Sequence, residues 1–278
     1  MSWGGDFPVE AWAGAPGFYE RGPTPCFTSR FDPRISFCLH VPAAPERIAA
    51  FVHGTGRGAE TVRDAVAAFA EATATLVLAP LFPAGIEEPG ALSGYKRLRS
   101  RALAYDLALI DMIDEVSERF GVQERRVLMH GFSGGGHFAH RFLFAHPERL
   151  LACSVGAPGV VTRLDEGAAW PIGLKGFEAI FGRSPDLAAI ARVPVQLVIG
   201  AEDRETWEIA LRPGDGWWAP GAEWQARSDR IVRIAGLRAD LDALGCRIRY
   251  DEVSGVAHDG SALVPSVLRF FEDILAEE

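Results

Sequence analysis

Cysteine is scarce, with Cys26, Cys38, Cys153 and Cys246 scattered along 278 residues. Cys38, Cys153 and Cys246 lie in apolar runs, the setting of buried free thiols, so no disulfide framework is expected. No Cys/His cluster has the spacing of zinc ligands. No apolar run is long enough to span a membrane, and no membrane association is expected. Positive charge is also in short supply. The formal net charge of -9 argues against a nucleic-acid partner, because phosphate binding needs a basic surface. The opening Met-Ser-Trp-Gly-Gly-Asp has neither a basic n-region nor an apolar h-region. No signal peptide is visible, and a cytoplasmic location is expected. Internal repeats and low-complexity linkers are absent. The remaining composition is that of a globular chain long enough for one large α/β domain.

The chain alternates between two hydrophobic periods. Residues 1–30 show none; they read as an irregular extension anchored by Trp3, Trp12, Phe18 and Tyr19. Strands are expected over 34–41, 47–52, 75–80, 126–129, 150–155, 193–199 and 246–253, from alternating or continuous apolar runs. Helices are expected over 59–72, 104–120, from Gly134 to about 145, 229–244 and 261–276, with Gly121 as a C-cap. Such alternation gives a mainly parallel sheet with helices on both faces and functional residues at the strands' carboxyl ends. Residues 31–278 therefore read as one α/β domain with lid-like insertions at 160–192 and 204–227.

Arg126–Gly136 is the organising stretch. Gly131-Phe132-Ser133-Gly134-Gly135 matches the G-x-S-x-G nucleophile elbow. A serine at the tip of a sharp strand-to-helix turn needs glycines beside it for close approach. The helix opening at Gly134 aims free N–H groups to where negative charge would develop. Serine needs a base, and the base needs an orienting group. Asp203 follows a buried strand and His258 lies in a late Gly-flanked loop, giving the chain order Ser, acid, His. Glu202 and Glu205 are close rivals of Asp203, and Asp165 is a more distant one. Among the other histidines, His40 falls in the first strand, His137 and His140 fall on the helix behind the serine, and His146 ends that helix. Asp259 reads as a loop or helix-cap residue. His53-Gly54-Thr55-Gly56 is placed to supply oxyanion donors from Thr55 or Gly56 alongside Gly134, with His53 bracing the loop. The lack of G-x-x-x-x-G-K-[ST], and of a lysine near the loop, argues against a phosphate loop.

On these residues the chain resembles the α/β-hydrolase superfamily. His53–Gly56 resembles its oxyanion loop, Gly131–Gly135 its elbow, Asp203 the acid after its strand seven and His258 the base after its strand eight. The lidless core and HGxG loop look like the dienelactone-hydrolase, feruloyl-esterase and polyhydroxybutyrate-depolymerase-like carboxylesterases. The resemblance implies an α/β-hydrolase fold with an eight-stranded-type sheet. It also implies a small-molecule ester or acyl substrate, a Ser133–His258–Asp203 triad, and no metal or organic cofactor. The same triad serves amidases, peptidases, acyltransferases and cofactor-free perhydrolases, and the fold also occurs in non-catalytic ligand-binding proteins. Phe132, Trp170, Trp207 and Trp217 are candidate substrate contacts, the tryptophans either lining an apolar pocket or packing as cover. Arg97, Arg99 and Arg101 either meet a substrate carboxylate or form a solvated face.

Overall fold

The computed structural model describes residues 20–277. Trp3, Trp12, Phe18 and Tyr19 lie outside the described residues. One sheet runs through the molecule, built from β1 (Gly22–Pro23), β2 (Phe27–Thr28), β3 (Ser36–Val41), β4 (Arg47–Val52), β5 (Thr75–Leu81), β6 (Val127–Phe132), β7 (Leu150–Gly156), β8 (Val195–Gly200) and β9 (Ile248–Val253). Its order is β1-β3-β5-β4-β6-β7-β8-β9, with β2 also on β3. β3 is antiparallel to β5, and every pair from β5 through β9 is parallel. Seven strands of six or seven residues form the body. The short β1 and β2 cap the edge of β3, in a stretch whose sequence shows no period.

Strand alternation divides the core into two layers. On β4, Ile48, Ala50 and Val52 face one side, with α3 (Tyr105–Phe120), α4 (Gly134–Ala145) and α7 (Arg230–Leu244) packed there. Ala49 and Phe51 face the other, against α2 (Ala67–Ala72) and α8 (Gly260–Ala276). Gly121 caps α3 in the left-handed conformation (φ 71°), as its position predicts.

Three features differ from expectation. The helix expected over 59–72 is two, α1 (Ala59–Ala65) and α2, broken at Val66 (φ -116°, ψ 12°). The break turns β-branched Val66 into the core while keeping Arg63 buried, with its guanidinium on Thr24 O at 2.7 Å. β3 is buried on both faces beyond Ser36, although its sequence alternates; His40 is satisfied there by Glu71 at 2.8 Å. β6 runs three residues further than its apolar run, because His130 and Gly131 pair with Ser154 and Val155. The insertion 160–192 carries two short helices, α5 (Phe177–Phe181) and α6 (Leu187–Arg192). Among the described residues no helix is long and apolar enough to cross a membrane.

The parallel register places the ends of β4, β6, β7, β8 and β9 on one sheet edge: Val52 pairs with Gly131, Phe132 with Gly156, Gly156 with Val198, and Gly200 with Val253. The loops after β4, β6, β8 and β9 therefore converge.

Candidate active site

The turn from β6 into α4 is possible only with glycine around it. A Cβ on Gly131 would overlap the Gly135 carbonyl, one on Gly135 the Val52 carbonyl, and one on Gly136 the Gly156 carbonyl. Strand, helix and the end of β4 thus meet backbone to backbone. Ser133 sits at the tip with φ 56° and ψ -110°, a conformation that costs a non-glycine residue on the order of 1–3 kcal/mol. Its N–H is used by Gly156 O at 2.8 Å, which fixes the turn and leaves the hydroxyl exposed to the cleft.

A cavity of about 570 Å³ opens over Ser133, lined by Gly54, Thr55, Gly56, Phe132 and His258 as well as by both insertions. His258 Nδ1 donates to Asp203 Oδ2 at 2.6 Å, and the ring stacks on Phe132 with centroids 4.6 Å apart. The Asp203 side chain is fully buried. The His258 loop is tied to the Asp203 turn through Glu202 N–H on Val256 O at 2.9 Å. Among the described residues the Ser133 hydroxyl has no hydrogen-bond partner, so serine and imidazole share the cavity without a closed bond. Catalytic hydrogen bonds in unliganded sites are often long and tighten with substrate. Of the rival acids, Glu202, Glu205 and Asp165 are exposed, and Asp165 accepts from Gly167 N–H at 2.8 Å. Asp259 caps α8, accepting from Ser261 N–H at 2.9 Å.

Gly134, first residue of α4, and Thr55 adjoin in front of the serine: a Cβ on Gly134 would stand 3.0 Å from Thr55 N. Among the described residues neither N–H has a hydrogen-bond partner, so both can donate to an oxyanion. Gly56 lines the same cavity one residue further on. The loop is held from behind. His53 Nδ1–H donates to Gly54 O at 2.7 Å, and its Nε2 accepts from Phe82 N–H at 3.0 Å. Arg57 donates to Leu92 O at 2.7 Å.

The same two-ended histidine clamp recurs on α4. His137 Nδ1–H donates to Ser133 O at 2.9 Å and its Nε2 accepts from Val160 N–H at 2.8 Å. His140 joins Gly136 O (2.7 Å) to Thr162 N–H (3.0 Å). Burial holds His53 and His130 down to about 4, and holds His137 and His140 well below the usual imidazole value, so all four are neutral.

Phe132, Trp207 and Trp217 line the cavity, Trp207 as a rim residue with 74% of its surface exposed. Trp170 does not line it. It packs edge-on to Phe177 (5.5 Å) and Phe181 (5.1 Å), because its segment turns back on itself, with Trp170 N–H on Lys175 O at 3.0 Å. The arginines weighed as carboxylate binders also lie off the cavity wall. Arg97 donates to Gly216 O, Arg99 pairs with buried Asp106 at 2.6 Å, and Arg101 is exposed.

Three residues that sequence reasoning passed over belong to the site. Arg230, buried at the start of α7, donates to Asp203 Oδ1 at 3.0 Å, Glu205 O at 3.0 Å and Glu208 Oε2 at 2.9 Å. Lys96 lines the cavity beside Gly134. Arg57 fixes the loop after β4 through Thr55 O, Phe82 O and Leu92 O. In sequence each is only one basic residue among many.

No protein-family model matches the chain, and no curated protein matches it by sequence. By structure it is similar to poly(aspartic acid) hydrolase-1 from Sphingomonas sp. KT-1, at 22% identity over 90% of this chain and 98% of that one (TM-score 0.69). It is also similar to the poly(3-hydroxybutyrate) depolymerase LpqC from Bordetella parapertussis, at 20% identity over 91% of each chain (TM-score 0.75). An S-formylglutathione hydrolase from Agrobacterium tumefaciens matches at 16% identity over 90% of this chain and 93% of that one (TM-score 0.60). The chain has the α/β-hydrolase fold.

Proposed function

We propose that the protein is a serine hydrolase that cleaves a carboxylic ester. The observation that carries this is the His258–Asp203 hydrogen bond at 2.6 Å in the same cavity as a serine held in strained backbone. His258 Nε2 takes the Ser133 proton as Oγ attacks the ester carbonyl. Asp203 holds Nδ1 protonated, so that Nε2 is the basic nitrogen. The developing oxyanion accepts from the Gly134 and Thr55 N–H groups, each such donor being worth about 3–4 kcal/mol in related chemistry. His258 then protonates the leaving alcohol, and water, deprotonated by the same imidazole, releases the acid from the acyl-enzyme. The neighbours named above, two hydrolases and a depolymerase, support the reading.

The test is intact-mass labelling with a fluorophosphonate, with Ser133→Ala as control. A single adduct absent from the control is expected. A folded protein without an adduct, and without turnover of a short p-nitrophenyl ester, would remove the hydrolase reading in favour of a binding role. A matched panel of esters and amides separates an esterase from an amidase or peptidase.

A further inference from the structure

The protein carries a formal net charge of -9, yet behind the wall of this cavity stand four guanidiniums that, among the described residues, form no ion pair with a carboxylate. Arg57 is spent on the carbonyls of Thr55, Phe82 and Leu92. Arg97 is spent on Gly216 O and stacks 4.4 Å over Trp217, with Arg141 5.2 Å from the same ring. Arg141 is fully buried and meets only Thr162 Oγ1 and the carbonyls of Lys96, Val160 and Pro171. Arg233, also buried, meets the carbonyls of Gly159, Ile209 and Gln225. Neutral dipoles solvate these guanidiniums but leave their charge standing.

Lys96 is the cation that reaches the cavity itself. Its Cε would lie 3.0 Å from a Cβ on Gly134, which puts its stem against the first residue of α4. Among the described residues its ammonium has neither a hydrogen bond nor an ion pair. Glu208, the acidic side chain on the cavity wall, is held by Arg230. The other charged wall residue, Arg230, is committed to Asp203 and Glu208. One unpaired ammonium is therefore presented to the substrate in a positive field.

We infer that the substrate bears a carboxylate and that Lys96 is the residue that binds it. This rests on the esterase reading and adds a substrate class to it. A single compact ammonium suits a singly charged carboxylate. Phosphate recognition draws on forked guanidiniums, and here those are turned onto carbonyls. The alternative role for Lys96, an extra donor to the oxyanion, would help every substrate alike and so leaves a different signature.

The experiment compares isosteric pairs: monoethyl glutarate with ethyl 5-methylhexanoate for an acyl-side carboxylate, and 4-acetoxybenzoate with 4-isopropylphenyl acetate for an alcohol-side one. In at least one pair Lys96→Met is expected to lower the anionic-to-neutral ratio of kcat/KM at least tenfold, chiefly through KM, and Lys96→Arg is expected to restore it. A ratio unchanged by Lys96→Met in both pairs overturns the proposal, since an oxyanion donor or a packing role moves both members together. Glutarate binding to Ser133→Ala, followed by tryptophan fluorescence, makes the same comparison without turnover. Weaker binding in Ser133→Ala/Lys96→Met supports the proposal. Absent or unchanged binding, together with an unchanged ratio, refutes it even where the fluorophosphonate adduct upholds the hydrolase.

Discussion

Lowering the pH from 7.5 to 5 is expected to cost this protein much of its stability, well before its carboxylates protonate. His53, His137 and His140 each donate from Nδ1 to a carbonyl and accept at Nε2 from a backbone N–H. A proton added at Nε2 would face an N–H donor and break the clamp. His130, fully buried, reaches Ser154 Oγ at 2.9 Å. Folding lowers His53 and His130 from 6.5 to about 4, chiefly by burial. The unfolded chain therefore binds more protons between about 4 and 6.5. The stability is whole above about 6.5 and is lost as pH falls toward 4. At pH 5 each of the two contributes about 2 kcal/mol less than at pH 7.5, about 4 kcal/mol together. His137 and His140, shifted the same way, add to this. Against a total of about 5–15 kcal/mol, that is a large share. Urea unfolding followed by circular dichroism at pH 7.5, 6 and 5 reads the loss directly. His130→Phe leaves Ser154 its hydrogen bond to Gln196 Oε1 at 2.7 Å and should shrink the pH-dependent loss by about 2 kcal/mol. Equal stability at pH 7.5 and 5, or the same loss in His130→Phe, would refute the reasoning.

Gly135→Ala should destabilise by about 1–3 kcal/mol and abolish ester turnover, since its Cβ would overlap the Val52 carbonyl at the end of β4. Gly56→Ala, with nothing within 4 Å, should unfold within about 1 kcal/mol of wild type in the same urea titration. Arg230→Met strands the buried Asp203 carboxylate and should cost about 3–5 kcal/mol, measured by chemical denaturation. Lys96 is lowered to about 8 by burial and by Arg57 and Arg141, against Glu208, with Tyr95, His137 and Arg230 also near it. The preference for an anionic ester should therefore fall as pH rises through about 8 and persist in Lys96→Arg, as seen in kcat/KM profiles.

The elbow was legible because its requirement is local. Gly131, Ser133 and Gly135 are spaced by the geometry of one turn. Asp203 and His258 were legible because strand ends are marked by apolar runs, and parallel strands deliver their ends to one edge. What escaped depends on side-chain direction. Arg230, Arg233 and Arg238 share α7, yet the first two are buried and the third half exposed. A spacing of three to five positions between arginines does not say which one turns inward. Lys96 and Arg97 are neighbours; one lines the cavity while the other stacks behind Trp217. Trp170 carried the same aromatic signal as Trp217 and points elsewhere. The break at Val66 was hidden because both halves of 59–72 keep a helical period.

The buried arginines give the insertions a different character from the lids their sequence resembles. Arg141, rising from α4, holds Thr162, Val160 and Pro171. Arg233 gathers Gly159 from one insertion boundary with Ile209 and Gln225 from the other. Gln225 closes the loop by exchanging two hydrogen bonds with Val161, at 3.0 and 2.8 Å. Arg230 binds the segment through Glu205 O and Glu208 while holding Asp203. The residues that cover the cavity are thus fastened to the ones that would perform the chemistry. Opening the cover by a hinge would break hydrogen bonds to buried charges, each worth about 1.5–3 kcal/mol. A cavity bounded this way is preorganised: its cover and the arginines behind it are set before a substrate arrives.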